Sequence, residues 1–222
     1  MSDLLEKLAL CVEKGKINRN MNYPPELAGQ EGADELTQLA LKQGLSPHDI
    51  LHKACIVGMH NIGEKFKDGE VYIPQLLIAA KAMQSVMNHL QPFFESGEIK
   101  NKGVFVIGTV SGDLHDIGKN LVSMVVGGAG WKVVDLGVDI PPAKFLESIA
   151  DNKGCVVGLS ALLTTTMENM EAAVREIKQS HPDTKVIVGG APVNREFAQQ
   201  IGADGFSADP QGAVEFLNAL TG

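Results

Sequence analysis

Cysteine is scarce in this chain of 222 residues: Cys11, Cys55 and Cys155 are an odd number set far apart. That spacing argues against a disulfide framework and offers no Cys-x-x-Cys metal knuckle, so the three read as reduced thiols, with Cys55 in a core. Positive charge is short as well. The 19 Lys and Arg face 27 Asp and Glu, for a formal net charge of -8, which argues against nucleic acid or an anionic membrane surface as the main partner. The opening Met-Ser-Asp-Leu-Leu-Glu has neither a basic region nor an apolar core, and no apolar run is long enough to cross a bilayer. A soluble, cytoplasmic protein is the expectation.

What is present is ordinary globular material, 44% hydrophobic and 21% charged, enough for one large domain or two small ones. The first half reads as helical. Asp3 to Lys14 forms a short helix, Pro24-Pro25 opens a second that Gly44 stops, and Ser46-Pro47 starts a third with an N-cap serine and proline at its first position. Leu51, Cys55, Ile62 and Phe66 follow on one face of that helix. Pro74 opens a fourth, with Leu76, Ala80, Met83, Met87 and Leu90 as its seam. The pattern predicts a four-helix domain over 1–92 and a connector over 93–102.

From 103 to 222 strands alternate with helices. Apolar runs predict strands over Val104–Ile107, Lys132–Leu136, Val156–Leu159, Lys185–Val188 and Gly205–Ser207, with helices between them. Such alternation gives an α/β domain, a doubly wound parallel sheet of five strands in flavodoxin-like order. Ligands in such sheets bind beyond the carboxyl ends of the strands, so the loops there carry the functional argument.

The loop after the first strand is Gly112-Asp113-Leu114-His115-Asp116-Ile117-Gly118-Lys119. A carboxylate bonded to one imidazole nitrogen fixes the tautomer and leaves the other as a basic ligand, which Asp113 can do for His115. Gly118 permits close backbone approach or an unusual φ/ψ. Asp-x-His-x-x-Gly in this setting fits a metal cofactor ligated by imidazole. On the same edge, the run from Ser160 to Thr166 supplies hydroxyls for a ligand or for helix capping. Gly189-Gly190 allows close approach or forms a tight turn. His48, His52, His60 and His89 lie in expected helices and are read without a metal role.

Together Gly112 to Asn120, Gly158-Leu159-Ser160-Ala161-Leu162 and Val188-Gly189-Gly190-Ala191 resemble the cobalamin-binding module of methionine synthase and of the corrinoid proteins of methyltransferase systems. Gly63-Glu64-Lys65-Phe66-Lys67-Asp68-Gly69-Glu70-Val71-Tyr72-Ile73-Pro74-Gln75 is similar to their helical cap. The likeness covers nearly the whole chain and is weakest before Pro24. It implies a base-off/His-on corrinoid with His115 as the lower axial ligand to cobalt and Asp113 and Thr166 completing a relay. Thr166 stands where methionine synthase has serine, which adds a methyl group.

By the same resemblance the nucleotide tail lies beside Gly118, Ser160, Leu162, Gly189 and Gly190. Further contacts come from Gly112, Asp116, Ile117, Thr164 and Ala191. Phe66 and Ile73 match cap positions over the upper corrin face, although both also suit a bundle core, and Glu64 and Glu70 suit either a solvated face or contact with corrin amides. Trp131 reads as a packing residue or as a neighbour of the nucleotide slot.

The implied function is a methyl carrier cycling between cobalt(I) and methyl-cobalt(III). Its implied partners are a substrate-specific methyltransferase, a second one passing methyl to tetrahydrofolate or a thiol, and a reductive activator. A cobalamin-dependent sensor is the alternative, and the cobalamin subunit of a carbon-skeleton mutase a third. The donor, whether methanol, a methylamine, a betaine or an aryl methyl ether, is left to the partner enzyme.

Overall fold

The computed structural model describes residues 2–221, and the chain divides into two compact units, the first reaching Asn101 and taking in Gly128–Gly130, the second made of Lys102–Gly127 and the residues from Trp131 on. In the first, α1 (Ser2–Lys14), α2 (Ala33–Lys42), α4 (Ile56–Lys67) and α5 (Ile73–Glu95) pack around one apolar interior, with α3 (Pro47–Ile50) leading into α4. Leu8, Val12, Leu51, Cys55, Met59, Leu76 and Leu90 are buried there, and full burial of one such large side chain contributes about 1.5–3 kcal/mol. Helices α1 and α4 meet closely at Gly58, where a Cβ would stand 2.6 Å from the Ala9 carbonyl.

Five local readings change. Pro25–Leu27 is an isolated turn of 3₁₀ helix and α2 begins only at Ala33, because glycines intervene and Gly29 takes a φ of 75°. Ser46 is extended as expected of an N-cap, but its hydroxyl makes no capping bond. The stretch from Pro47 to Lys67 is not one regular α-helix, because Leu51–Cys55 is a π-helical segment that re-aims the following face. The buried stripe of α5 runs through Leu76, Ala79, Ala82, Met83, Val86 and Leu90, leaving Ala80 and Met87 only half-buried. That helix continues through Pro92 to Glu95, into the stretch expected as connector.

His48 and His52 stand four residues apart, a spacing that suits metal chelation on a helix, but here their rings stack at 4.2 Å. His89 Nε2 lies 2.6 Å from Asp34, tying α5 to α2.

The second unit is a five-stranded sheet in the order β2-β1-β3-β4-β5, with β1 Val104–Thr109, β2 Lys132–Asp135, β3 Val156–Ser160, β4 Lys185–Gly189 and β5 Gly205–Ser207. Every pairing is parallel. This is the flavodoxin-like order expected, with the switch point between β1 and β3. Helices α6 (Ile117–Gly128), α7 (Pro142–Asp151), α8 (Met167–Ser180) and α9 (Arg195–Gln200) connect the strands, and α10 (Pro210–Ala219) follows β5.

Alternation along β1 sends Val106 into the core with Phe145 and Ile149 of α7 and Met170 and Val174 of α8. Phe105 and Ile107 point to the opposite face, toward α6 and α10. On that face Gly158 clears the Phe105 ring, for a Cβ there would lie 2.4 Å from it. Trp131 is buried against Gly103, its indole N–H without a partner. No helix among the described residues is long and apolar enough to cross a membrane.

Candidate functional site

The site grows from the end of β1. Asp113 N–H donates to the Val110 carbonyl at 3.2 Å, and Gly112 between them takes a φ of 80°, so the chain turns sharply and the Asp113 side chain folds beneath the loop. The Thr109 hydroxyl donates to the His115 carbonyl at 2.9 Å, which holds the far end of the loop down. The Asp113 carboxylate is fully buried. It survives there because five donors surround it.

Its Oδ1 accepts from the His115 backbone N–H at 3.1 Å and lies 2.8 Å from His115 Nδ1. Its Oδ2 accepts from Leu162 N–H at 2.7 Å, Leu163 N–H at 3.2 Å and the Thr166 hydroxyl at 2.8 Å. Thr166 sits in the 3₁₀ turn Thr164–Thr166 that leads into α8, and the Leu163 carbonyl lies equally close to its hydroxyl. The carboxylate, as the charged acceptor, takes that single proton. Burial pushes the Asp113 carboxyl upward, but the bonds from Leu162, His115 and Thr166 outweigh it and hold the group well below the usual carboxylate range.

An ionised Asp113 assigns the His115 tautomer. Nδ1 must carry the proton that Oδ1 accepts, so Nε2 keeps its lone pair. The His115 side chain is 50% exposed while Asp113 is sealed, so the imidazole presents a basic nitrogen outward from a fixed base. Leu114 and Ile117, near it in sequence, and Leu162 and Leu163, whose backbone N–H groups hold Asp113, are exposed apolar residues.

Beside this platform a cleft of about 370 Å³ opens between α6 and α10. Phe105, Ile107 and Gly158 form its floor, Gly118, Lys119 and Val122 one wall, and Ser160, Leu162, Gly189, Gly190 and Ala191 its rim near the strand ends. Gly118 has no positive φ and nothing within 4 Å of where a Cβ would stand, so its role is to leave room. Gly190 is different. Its φ is 125° and a Cβ would lie 1.8 Å from the Ala161 carbonyl oxygen. Lys119 is buried, with Nζ 2.5 Å from Asp135 and 2.7 Å from Asn120.

The structure thus brings Asp113, His115 and Thr166 into one bonded set and Gly118, Ser160, Leu162, Gly189, Gly190 and Ala191 around one cleft. Gly112, Asp116, Ile117 and Thr164 are exposed and lie outside the cleft lining. In the helical unit Phe66 is half-buried near the end of α4, and Ile73 is 40% exposed at the start of α5. The sequence reading gave no site role to the floor residues Phe105, Ile107 and Gly158, to the far rim from Phe206 to Pro210, or to the exposed Leu114 and Leu163. A glycine interrupting the β-branched β3 run was the one available signal for the floor.

A single outward imidazole beside a deep, largely apolar slot suits a metal that arrives with an organic macrocycle. Among the described residues no cluster of three or more His, Cys, Asp and Glu converges to hold a bare ion. The one-nitrogen donor set and the room left at Gly118 both fit a corrinoid with its nucleotide arm.

Comparison with known proteins agrees. Residues 103–215 match a B12 binding domain and residues 29–91 a second model described as a B12 binding domain. The trimethylamine corrinoid protein of Methanosarcina barkeri is 39% identical over 193 residues, 85% of this chain and 89% of that protein. A corrinoid protein of Desulfitobacterium hafniense is 36% identical, over 85% of this chain and 89% of its own. Among solved structures, a chain of the methanol:cobalamin methyltransferase complex of Methanosarcina barkeri superposes with a TM-score of 0.81 at 26% identity, covering 99% of this chain and 80% of that one. The chain therefore belongs to the cobalamin-binding corrinoid proteins of methyltransferase systems.

Proposed function

We propose that this chain is the methyl-carrying subunit of a multi-component methyltransferase, holding its corrinoid base-off with His115 Nε2 as the lower axial ligand to cobalt. When bound, the corrinoid supplies a cobalt that takes up a methyl group as cobalt(I) and gives it up from methyl-cobalt(III). The observation that carries the reading is the buried, ionised Asp113, whose bond to Nδ1 keeps Nε2 unprotonated and aimed outward.

The chain's own residues then act as a reversible clasp. Nε2 offers its lone pair while Asp113 and Thr166 hold the Nδ1 proton. A second proton, taken up on Nε2, turns His115 into an imidazolium that Asp113 stabilises and that no longer binds metal. Gly118, Ser160, Leu162, Gly189 and Gly190 receive the displaced nucleotide arm. A substrate-specific methyltransferase delivers the methyl group, a second passes it to tetrahydrofolate or a thiol, and a reductive activator restores oxidised cobalt, all in the cytoplasm. The names of the relatives, trimethylamine and dimethylamine corrinoid proteins, support a small methylated amine as donor.

Reconstitution of the apoprotein with cobalamin tests the reading. The wild type is expected to give a base-off/His-on spectrum and, after titanium(III) reduction and methyl iodide, a stable methylated form. His115→Ala should lose the His-on features and bind cobalamin at least about tenfold more weakly. An unchanged spectrum in that variant removes His115 from the cobalt, and a wild type that binds no corrinoid, or reaches no cobalt(I) state, removes the carrier function.

A further inference from the structure

We propose that Asp139 is a positioning residue for the cobalt ligand, latching the turn that carries Asp113 and His115; this rests on the reading of His115 as that ligand. Asp139 lies in the connection from β2 to α7, outside the Asp-x-His-x-x-Gly loop and outside the cleft lining. Among the described residues it is the one non-glycine with a positive φ, 56°. Glycine is the unstrained choice at such a position, and an L residue is retained there when its surroundings hold it.

What holds Asp139 is the His115 loop itself. Asp139 Oδ1 accepts from Gly112 N–H at 2.7 Å and from the Ser111 hydroxyl at 3.4 Å. Its own N–H donates to the Asp113 carbonyl at 3.0 Å. Residues 111–113 are therefore gripped by one residue through side chain and backbone together. The left-handed backbone is what lets both groups face the same turn. Asn169 adds a third hold, donating from Nδ2 to the Ser111 carbonyl at 2.8 Å.

Gly112 is the hinge of that turn at a φ of 80°, and with its N–H freed the turn has less to define it. Asp113 would shift with it, and His115 follows Asp113 through the 2.8 Å bond at Nδ1. Small displacements matter here, because metal ligation requires a nitrogen placed to within a fraction of an ångström.

Three variants separate the latch from simple backbone strain. Asp139→Asn keeps an acceptor oxygen and tolerates the left-handed region; Asp139→Gly removes the acceptor while relieving the strain; Asp139→Ala does neither good thing. In the apoprotein, hydrogen exchange at the Gly112 amide and the ring nitrogen shifts of His115 are read by NMR. In the cobalamin-loaded protein the ratio of His-on to His-off is read by absorption.

Asp139→Gly is expected to speed Gly112 exchange and to lower the His-on to His-off ratio, each by about tenfold, the loss of one charge-assisted bond. Asp139→Asn should stay within about threefold of wild type, since a neutral acceptor remains. The proposal is overturned if Asp139→Gly leaves the His115 ring shifts and the His-on ratio at wild-type values, or if Asp139→Asn falls as far as Asp139→Gly. Should His115 itself not bind cobalt, His115→Ala will match wild type in absorption, while the apoprotein exchange at Gly112 still reports the latch.

Discussion

Asp113→Asn is expected to abolish ligation by His115 while leaving the fold in place. The substitution keeps size and shape but converts one acceptor oxygen into a donor. If the amide oxygen stays with Leu162, Leu163 and Thr166, its NH₂ faces the His115 backbone N–H and Nδ1. Nδ1 must then accept, the proton moves to Nε2, and the lone pair offered to cobalt is gone. The opposite orientation sets NH₂ against the N–H groups of Leu162 and Leu163, which lie 2.7 and 3.2 Å from Oδ2, and costs about 1–3 kcal/mol for each donor left unmet. Either way corrinoid affinity falls, by about 10- to 100-fold as for other residues that orient a metal-bound histidine.

The same variant has a signature in acid. Asp113 is held below its ordinary carboxylate value, so its contribution to stability is fully present above that value and is lost as pH falls toward the lowered one. The gap in denaturation midpoint between wild type and Asp113→Asn should therefore be widest near neutrality and close as the pH drops below the usual carboxylate range. A constant gap across that window, or a His-on spectrum in the variant, contradicts the role given to Asp113.

Gly190→Ala is expected to cost the most stability of any single methyl group added at the site. The backbone there has a φ of 125°, which an L side chain rarely adopts, and the new Cβ would stand 1.8 Å from the Ala161 carbonyl oxygen. Strain in such a region costs about 1–3 kcal/mol, and relief of the overlap by moving backbone about as much again. The movement does not stay local. Ala161 is bonded to Gly189 by its N–H at 3.2 Å and is followed by Leu162, whose N–H holds Asp113.

Cleft and relay should thus fail together, with a lower denaturation midpoint and weakened cobalamin binding. Gly118→Ala is the control, because its Cβ meets open space. That variant should melt with wild type and lose affinity alone, since the methyl group occupies room on the cleft wall. A Gly190→Ala protein as stable as wild type contradicts the close approach.

The strand order and the His115 loop were legible because they rest on local patterns: β-branched runs that alternate with amphipathic helices, and an aspartate two residues before a histidine. The resemblance pointed to Gly118, Ser160 and Gly189, which do line one cleft. What stayed hidden depends on residues distant in the chain. Nothing near Asp139 announces that its carboxylate meets Gly112, and no periodicity marks Leu51–Cys55 as a π segment. Pro24-Pro25 has the composition of a helix start, yet Pro25 leads only a single turn because glycines intervene before α2, whereas α3 does begin at Pro47 behind Ser46, whose hydroxyl makes no capping bond. The reading of Ala80 and Met87 as seam residues failed by a fraction of a helical turn, an error that only packing against α1 and α2 corrects.

The most direct test of the account is the electron paramagnetic resonance spectrum of the cobalt(II) form, recorded on protein made with ordinary histidine and with nitrogen-15 histidine. Ligation by His115 Nε2 predicts that the triplet splitting from the axial nitrogen becomes a doublet in the labelled protein and disappears in His115→Ala. A triplet that survives labelling would mean that the cofactor's own base, and not this histidine, holds the metal from below.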